Sequence, residues 1–193
     1  MKLLYLAAPA TLLIGIGCGP ARNLASDPGQ RQIAVIPLGK PSRHTLQLVE
    51  ASLKRTYDAK VVELPGLTLP KSAYRSSRNR YDAEGLLAHI PARQSWKTIG
   101  VTDRDISTPA HGVSDYGIMG RAGIGAPVAV VSSYRAKAGV GTVAIHEIGH
   151  TLGLPHCPNV KCVMVDAKGT ARVAKSSGRF CQTCAARIGA WTR

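Results

Sequence analysis

The sequence predicts an α/β domain built on a twisted, mostly parallel sheet of four to five strands with helices packed against it. Three observations lead there. Apolar runs at 32–38, 61–64, 97–102 and 128–132 alternate with stretches of helical periodicity at 42–57, 82–90 and 140–152, the order that parallel strands joined by helical crossovers require. No repeat or low-complexity block divides the 193 residues, and about 160 of them remain after an apolar start and the tether that follows it, enough for one core. Hydrophobic residues make up 45% of the chain but aromatics only 5%, with a single phenylalanine, so Val, Ile, Leu and Ala must fill that core.

Met1 and Lys2 precede an apolar run from Leu3 to Gly17 that contains Pro9. A basic start with an apolar stretch of this length reads as an export signal over residues 1–17, and it is short for a membrane-spanning helix. Gly15-Ile16-Gly17 before Cys18 looks like a lipobox, with Gly15 standing where an aliphatic residue is usual. Cys18 is then the lipidation site; ordinary secretion and a retained anchor are the other readings. Residues 18–30, rich in Gly, Pro, Ala, Ser and Asn, form a flexible tether, which leaves 31–193 as the domain.

Gln32–Leu38, apolar from Ile33 onward, reads as a buried strand. Ser42 supplies an N-cap, and Leu46, Val49, Leu53 and Tyr57 fall on one face of the helix it opens. Val61–Leu64 is a short strand, and Asp82–Ile90 a second helix stopped by Pro91. Lys97–Thr102 and Val128–Ser132 are further strands, with a weaker one near Tyr116–Gly120. Val140–Leu152 is the last helix, and Val165–Phe180, with its Gly, Ser, Lys and Arg, is an exposed loop.

The last helix carries the chemistry. Residues 146–156 read His-Glu-Ile-Gly-His-Thr-Leu-Gly-Leu-Pro-His. Each helical residue advances about 100°, so His146 and His150 lie one turn apart on one face and can reach a single ion. Glu147 sits beside that face as a non-ligand base. Gly153 can end the helix in a left-handed conformation, Pro155 discourages its resumption, and the chain can double back to deliver His156. Three nitrogen ligands leave the fourth tetrahedral position for water, the mark of a catalytic zinc. Ala144, Ile145, Ile148 and Leu152 form the opposite, packing face. A helix whose histidines only hydrogen-bond is the bland alternative, and the glutamate, the glycine and the third histidine in register weigh against it.

The same run is followed by Cys157, by Cys162-x-Met164 and by Cys181-x-x-Cys184, and the whole pattern resembles the archaemetzincins, a metzincin family of zinc peptidases. The stretches Ile99–Asp103 and Val128–Arg135 look like that family's strands before the active-site helix, so the likeness spans roughly residues 31–190. The spacer between Met164 and Cys181 holds sixteen residues, one fewer than the family pattern. The resemblance implies a metzincin-like single domain with a mixed sheet, an antiparallel edge strand at the upper rim of the cleft, and a small Cys-rich C-terminal subdomain. The edge strand falls to the weak strand near Tyr116. It further implies that His146, His150 and His156 hold the catalytic zinc, that Glu147 is the general acid/base, and that Met164 forms the Met-turn. Cys157, Cys162, Cys181 and Cys184 would hold a second, structural zinc, two ions per chain. From spacing alone, four thiolates on one zinc and two disulfides both stay open, because an exported chain meets oxidising conditions.

The expected function is therefore a zinc metallopeptidase, monomeric, acting on peptide or protein substrates from the cell envelope or outside it, with membrane attachment through lipidated Cys18. A non-catalytic envelope protein using zinc for shape is the alternative, and the intact Glu147 argues against it. The charge of +14 raises a zinc-stabilised nucleic-acid module, which the export signal disfavours. The basic residues are scattered, so most read as solvated surface, with anionic envelope polymers or lipid headgroups the better functional guess. Asp103 and Asp105 follow a strand and cap or support the site, His44, His89 and His111 have no ligand spacing, and Tyr134 near a strand end is a candidate to stabilise a tetrahedral intermediate.

Overall fold

The first strand anchors a five-stranded sheet because it is apolar on both faces. In the computed structural model, which describes residues 30–93 and 96–193, the elements run in chain order as β1 (Gln32–Pro37), α1 (Arg43–Thr56), β2 (Lys60–Glu63), β3 (Tyr74–Arg75), β4 (Arg80–Asp82), α2 (Ala83–His89) and β5 (Trp96–Thr102). There follow β6 (Ile106–Ala110), β7 (Val113–Ile118), β8 (Gly120–Ala122), β9 (Val128–Ser132), α3 (Ser133–Ala136), α4 (Val140–Thr151) and α5 (Gln182–Ile188). The leader, Cys18 and the tether lie outside the described residues.

The main sheet has the order β2-β1-β5-β9-β8, parallel except for β8, which pairs antiparallel with β9. Successive side chains point to opposite faces, and the core divides accordingly. Ile33, Val35, Ile99, Val101, Ala129 and Val131 meet α1 and α4 on one face, while Ala34, Ile36 and Val130 meet Leu86 of α2 and Ile106 on the other. Helix α1 begins at Ser42, whose hydroxyl accepts from the Thr45 amide, and α2 begins at Asp82, whose carboxylate accepts from the Gly85 amide. Where α1 crosses α4, Gly141 lies directly against the Ser52 hydroxyl, so the two helices approach as closely as their backbones permit. Tyr57 is fully buried at the end of α1 and donates to the Ile145 carbonyl at 2.7 Å, bracing α4.

Two expectations need correction. The stretch around Tyr116 is not the edge of the main sheet. Val113–Ile118 belongs to a second sheet of order β3-β4-β6-β7, and the antiparallel edge is the next segment, Gly120–Ala122. The shift has a local cause, because β6 and β7 form a hairpin closed by His111-Gly112, both at positive φ (52° and 73°), the conformation of a two-residue type I′ turn. The segment Val165–Phe180 consists largely of turns, but Val165 and Val173 are buried in the main core, so the loop is pinned at its start and its middle. The Cys-rich end also packs on that core through Cys162, Val163, Cys184 and Ile188.

Candidate metal centre and active site

Helix α4 sets the site by where it stops. Gly153 adopts φ 93°, its amide donates to the His150 carbonyl at 2.9 Å, and the Leu154 amide donates to the Gly149 carbonyl at 3.1 Å. This pair of bonds is the Schellman ending that a glycine after the helix allows. It also places the Leu154 carbonyl where His150 Nδ1 meets it at 2.7 Å. His146 Nδ1 meets the Val163 carbonyl at 2.7 Å in the same manner. With Nδ1 of both rings turned to a backbone acceptor, the Nε2 atoms face each other at 2.9 Å. His156 completes the group, its ring centroid 4.9 Å from His150 and 5.4 Å from His146. One nitrogen from each of the three lies within 4.8 Å of the others.

The donor set suits a catalytic metal. Burial lowers the pKa of His146 to about 3, helped by the neighbouring His150, and burial lowers that of His150 as well. Both are neutral imidazoles at physiological pH, the form that ligates. Glu147 is buried, and burial raises its pKa to about 8 against the opposing charge of Arg121. Its carboxylate lies against the edge strand, where a Cβ on Gly120 would come within 2.6 Å of Oε1. Met164 lies fully buried under the helix, and a Cβ on Gly149 would meet its sulfur at 2.5 Å. The Met164 carbonyl accepts from the Cys157 amide at 2.7 Å, tying the floor of the site to the residue after His156.

The four C-terminal cysteines converge on one point instead of pairing into two disulfides. Their sulfurs all lie within 4.8 Å of one another, with Cys157 and Cys181 at 3.8 Å, and all four are free thiols. Tetrahedral zinc–thiolate bonds of about 2.3 Å put sulfurs about 3.8 Å apart, so the cluster matches a closed four-thiolate site. Cys181 stands at the N-cap of α5, and the nearby Cys184 backbone amide heads the causes that lower its pKa to about 7. Burial raises the pKa of Cys162 and of Cys184.

The other singled-out residues sit elsewhere. Asp103 accepts hydrogen bonds from the Ser42 amide, Thr45 and Ser133, and Asp105 pairs with Arg80 and Arg135. Tyr134 is half-exposed, with the Lys137 ammonium 5.4 Å from its ring centre. His89 bonds the Thr68 carbonyl, and His111 stacks edge-on to Tyr116. Three residues near the site went unread in the sequence: Gly120 against Glu147, Arg121 beside it, and Asp166, whose carboxylate lies 3.9 Å from His156 Nδ1. A glycine followed by an arginine just before an apolar strand was the available signal for the first two.

Residues 139–190, from the residue before α4 to just past α5, match the model of Peptidase family M54. The archaemetzincin of Archaeoglobus fulgidus is 33% identical over 165 residues, an alignment covering 81% of this chain and 98% of the relative. The chain belongs to the archaemetzincin family. As an archaemetzincin it is a zinc metallopeptidase, a hydrolase, and neither the non-catalytic nor the nucleic-acid reading is favoured. The Halobacterium salinarum archaemetzincin is 27% identical over 171 residues, covering 79% of this chain and 96% of the relative. The crystal structure of the Archaeoglobus fulgidus protein in complex with malonate superposes with a TM-score of 0.69 at 32% identity, covering 81% of this chain and 99% of that one. The Methanopyrus kandleri archaemetzincin, at 24% identity, shares the fold with a TM-score of 0.71 over 86% of this chain and 97% of its own.

Proposed function

We propose that His146, His150 and His156 hold one zinc ion and that Glu147 is the general base of peptide-bond hydrolysis. Zinc in such a three-nitrogen set supplies Lewis acidity toward the scissile carbonyl and acidifies a water. The chain's own part follows from its geometry. The Schellman turn and Val163 fix the two helix histidines by Nδ1, so their Nε2 lone pairs are already aimed and little ordering is left for binding. Glu147, adjacent in sequence but turned off the ligand face, takes the proton from the attacking water and hands it to the departing amine. Burial raises its affinity for a proton, and a zinc ion held beside it would favour the ionised form that accepts one. The edge strand β8 over Glu147 offers unpaired backbone groups to an extended peptide.

The single observation that carries this reading is the convergence of three imidazoles beside a buried carboxylate that is not one of them. A carboxylate there has no ligand role to fill. Glu147→Gln should retain zinc while hydrolysis of a peptide panel falls by about 10²–10⁴-fold. Turnover near the wild-type rate would refute the assignment.

The same proposal includes a second zinc on Cys157, Cys162, Cys181 and Cys184, supported by their convergence, and an exported, envelope-anchored monomer. Support for the last is the apolar leader and the Gly15-Ile16-Gly17-Cys18 segment.

A further inference from the structure

The three imidazoles are not held alike. His146 and His150 are buried, and each turns Nδ1 to a backbone carbonyl at 2.7 Å, from Val163 and Leu154 respectively. His156 follows the helix on an irregular segment and its side chain is 49% exposed. Among the described residues no backbone carbonyl accepts from its ring. What faces its Nδ1 is the Asp166 carboxylate, with Oδ1 3.9 Å away. A histidine that binds a metal through one ring nitrogen needs an acceptor on the other to fix ring orientation and raise donor strength. The third ligand therefore meets by a side chain the requirement that the first two meet by backbone.

Asp166 is itself held for this purpose. Its Oδ1 accepts from the Lys168 amide at 2.9 Å, an Asx-type turn stabilised by Lys168 and Gly169 at positive φ (46° and 72°). The carboxylate is half-exposed but tethered by that bond, and Met164, two residues earlier, is buried under the helix. One short segment thus carries both the floor of the site and the partner of its most exposed ligand.

We propose that Asp166 is the positioning residue of the third metal ligand, holding the His156 ring by Nδ1 so that Nε2 faces the other two imidazoles. The proposal rests on the three histidines being the catalytic zinc ligands. At 3.9 Å the two groups already face each other, and a small rotation of the half-exposed ring would bring them to hydrogen-bond distance.

Metal affinity, measured apart from turnover, tests it. Cobalt(II) is titrated into reduced, metal-free protein, because a four-thiolate site gives intense charge-transfer bands and a three-imidazole site does not, so the two sites are read separately. Asp166→Ala should weaken binding at the imidazole site by about 10–100-fold and leave the thiolate site unchanged. Asp166→Asn preserves the acceptor for the Lys168 amide and removes the charge, and its affinity should also fall several-fold. Wild-type affinity in Asp166→Ala, equal weakening at both sites, or a loss in Asp166→Asn as large as in Asp166→Ala would each overturn the role, since the Asn oxygen can still accept from His156 Nδ1. If wild-type protein binds metal as described yet cleaves no peptide, the peptidase mechanism fails while the affinity ratio still decides Asp166.

Discussion

Asp103 shows how much a single carboxylate can organise. It follows the end of β5 and accepts from the Ser42 amide at 2.6 Å, from Thr45 Oγ1 at 2.7 Å and from Ser133 Oγ at 2.5 Å, joining the starts of α1 and α3. Burial pushes its pKa up, but the hydrogen bonds from Ser133, Ser42 and Thr45 outweigh burial and hold it below the ordinary 3.8. A folded-state pKa that is depressed stabilises the protein above the unfolded value, and that contribution is lost as pH falls through the folded one. Asp103→Asn should therefore cost about 1–2 kcal/mol at neutral pH, with the difference narrowing as the pH drops below about 4. Urea unfolding of both proteins between pH 7 and 3 (a range set by the linkage argument) checks this, and a gap that does not narrow would contradict it. At this scale the sequence was legible where ligands are contiguous. His146, Glu147 and His150 declare themselves because one helical turn brings them together. Gly120 and Asp166 were opaque, and Asp103 was legible only as a capping or supporting residue after a strand, since their partners lie far along the chain or across a turn that composition does not mark.

Among elements, β8 is the one on which the chemistry leans most. It is three residues long, too short for a pattern of alternation, which is why the antiparallel rim was read one segment early. The second sheet escaped for related reasons: β3 and β4 have two and three residues, and Pro109 interrupts β6 where its register with β7 shifts. The helices and the four parallel strands, by contrast, were readable from caps and from continuous apolar runs. Gly120 is what lets β8 pass over Glu147. In Gly120→Ala the new methyl would press on Oε1, and either the strand or the carboxylate must move. Peptide hydrolysis should fall on the order of 10–100-fold, as displacements of an ångström cost in oriented sites, with zinc content and thermal midpoint nearly unchanged. Activity close to wild type would mean that the strand yields without disturbing the base.

For the whole molecule, the C-terminal thiols matter because the segment carrying them is part of the main core. Cys162 and Cys184 are buried with Val163, Met164 and Ile188, so a metal there ties α5 and the Met164 loop to the sheet. Two zinc ions per chain are expected, with Cys184→Ser retaining one. Because metal binding to such a site is folding free energy, a strong chelator under reducing conditions should lower the thermal midpoint of wild-type protein far more than that of Cys184→Ser. Equal midpoints with and without chelator would show that the cluster carries no structural ion.

One joint gives this arrangement its vulnerability. His156 and Cys157 share a peptide bond, and the Cys157 amide is in turn fastened to the Met164 carbonyl. Any slack at Cys157 would therefore pass straight into the backbone that presents the third imidazole.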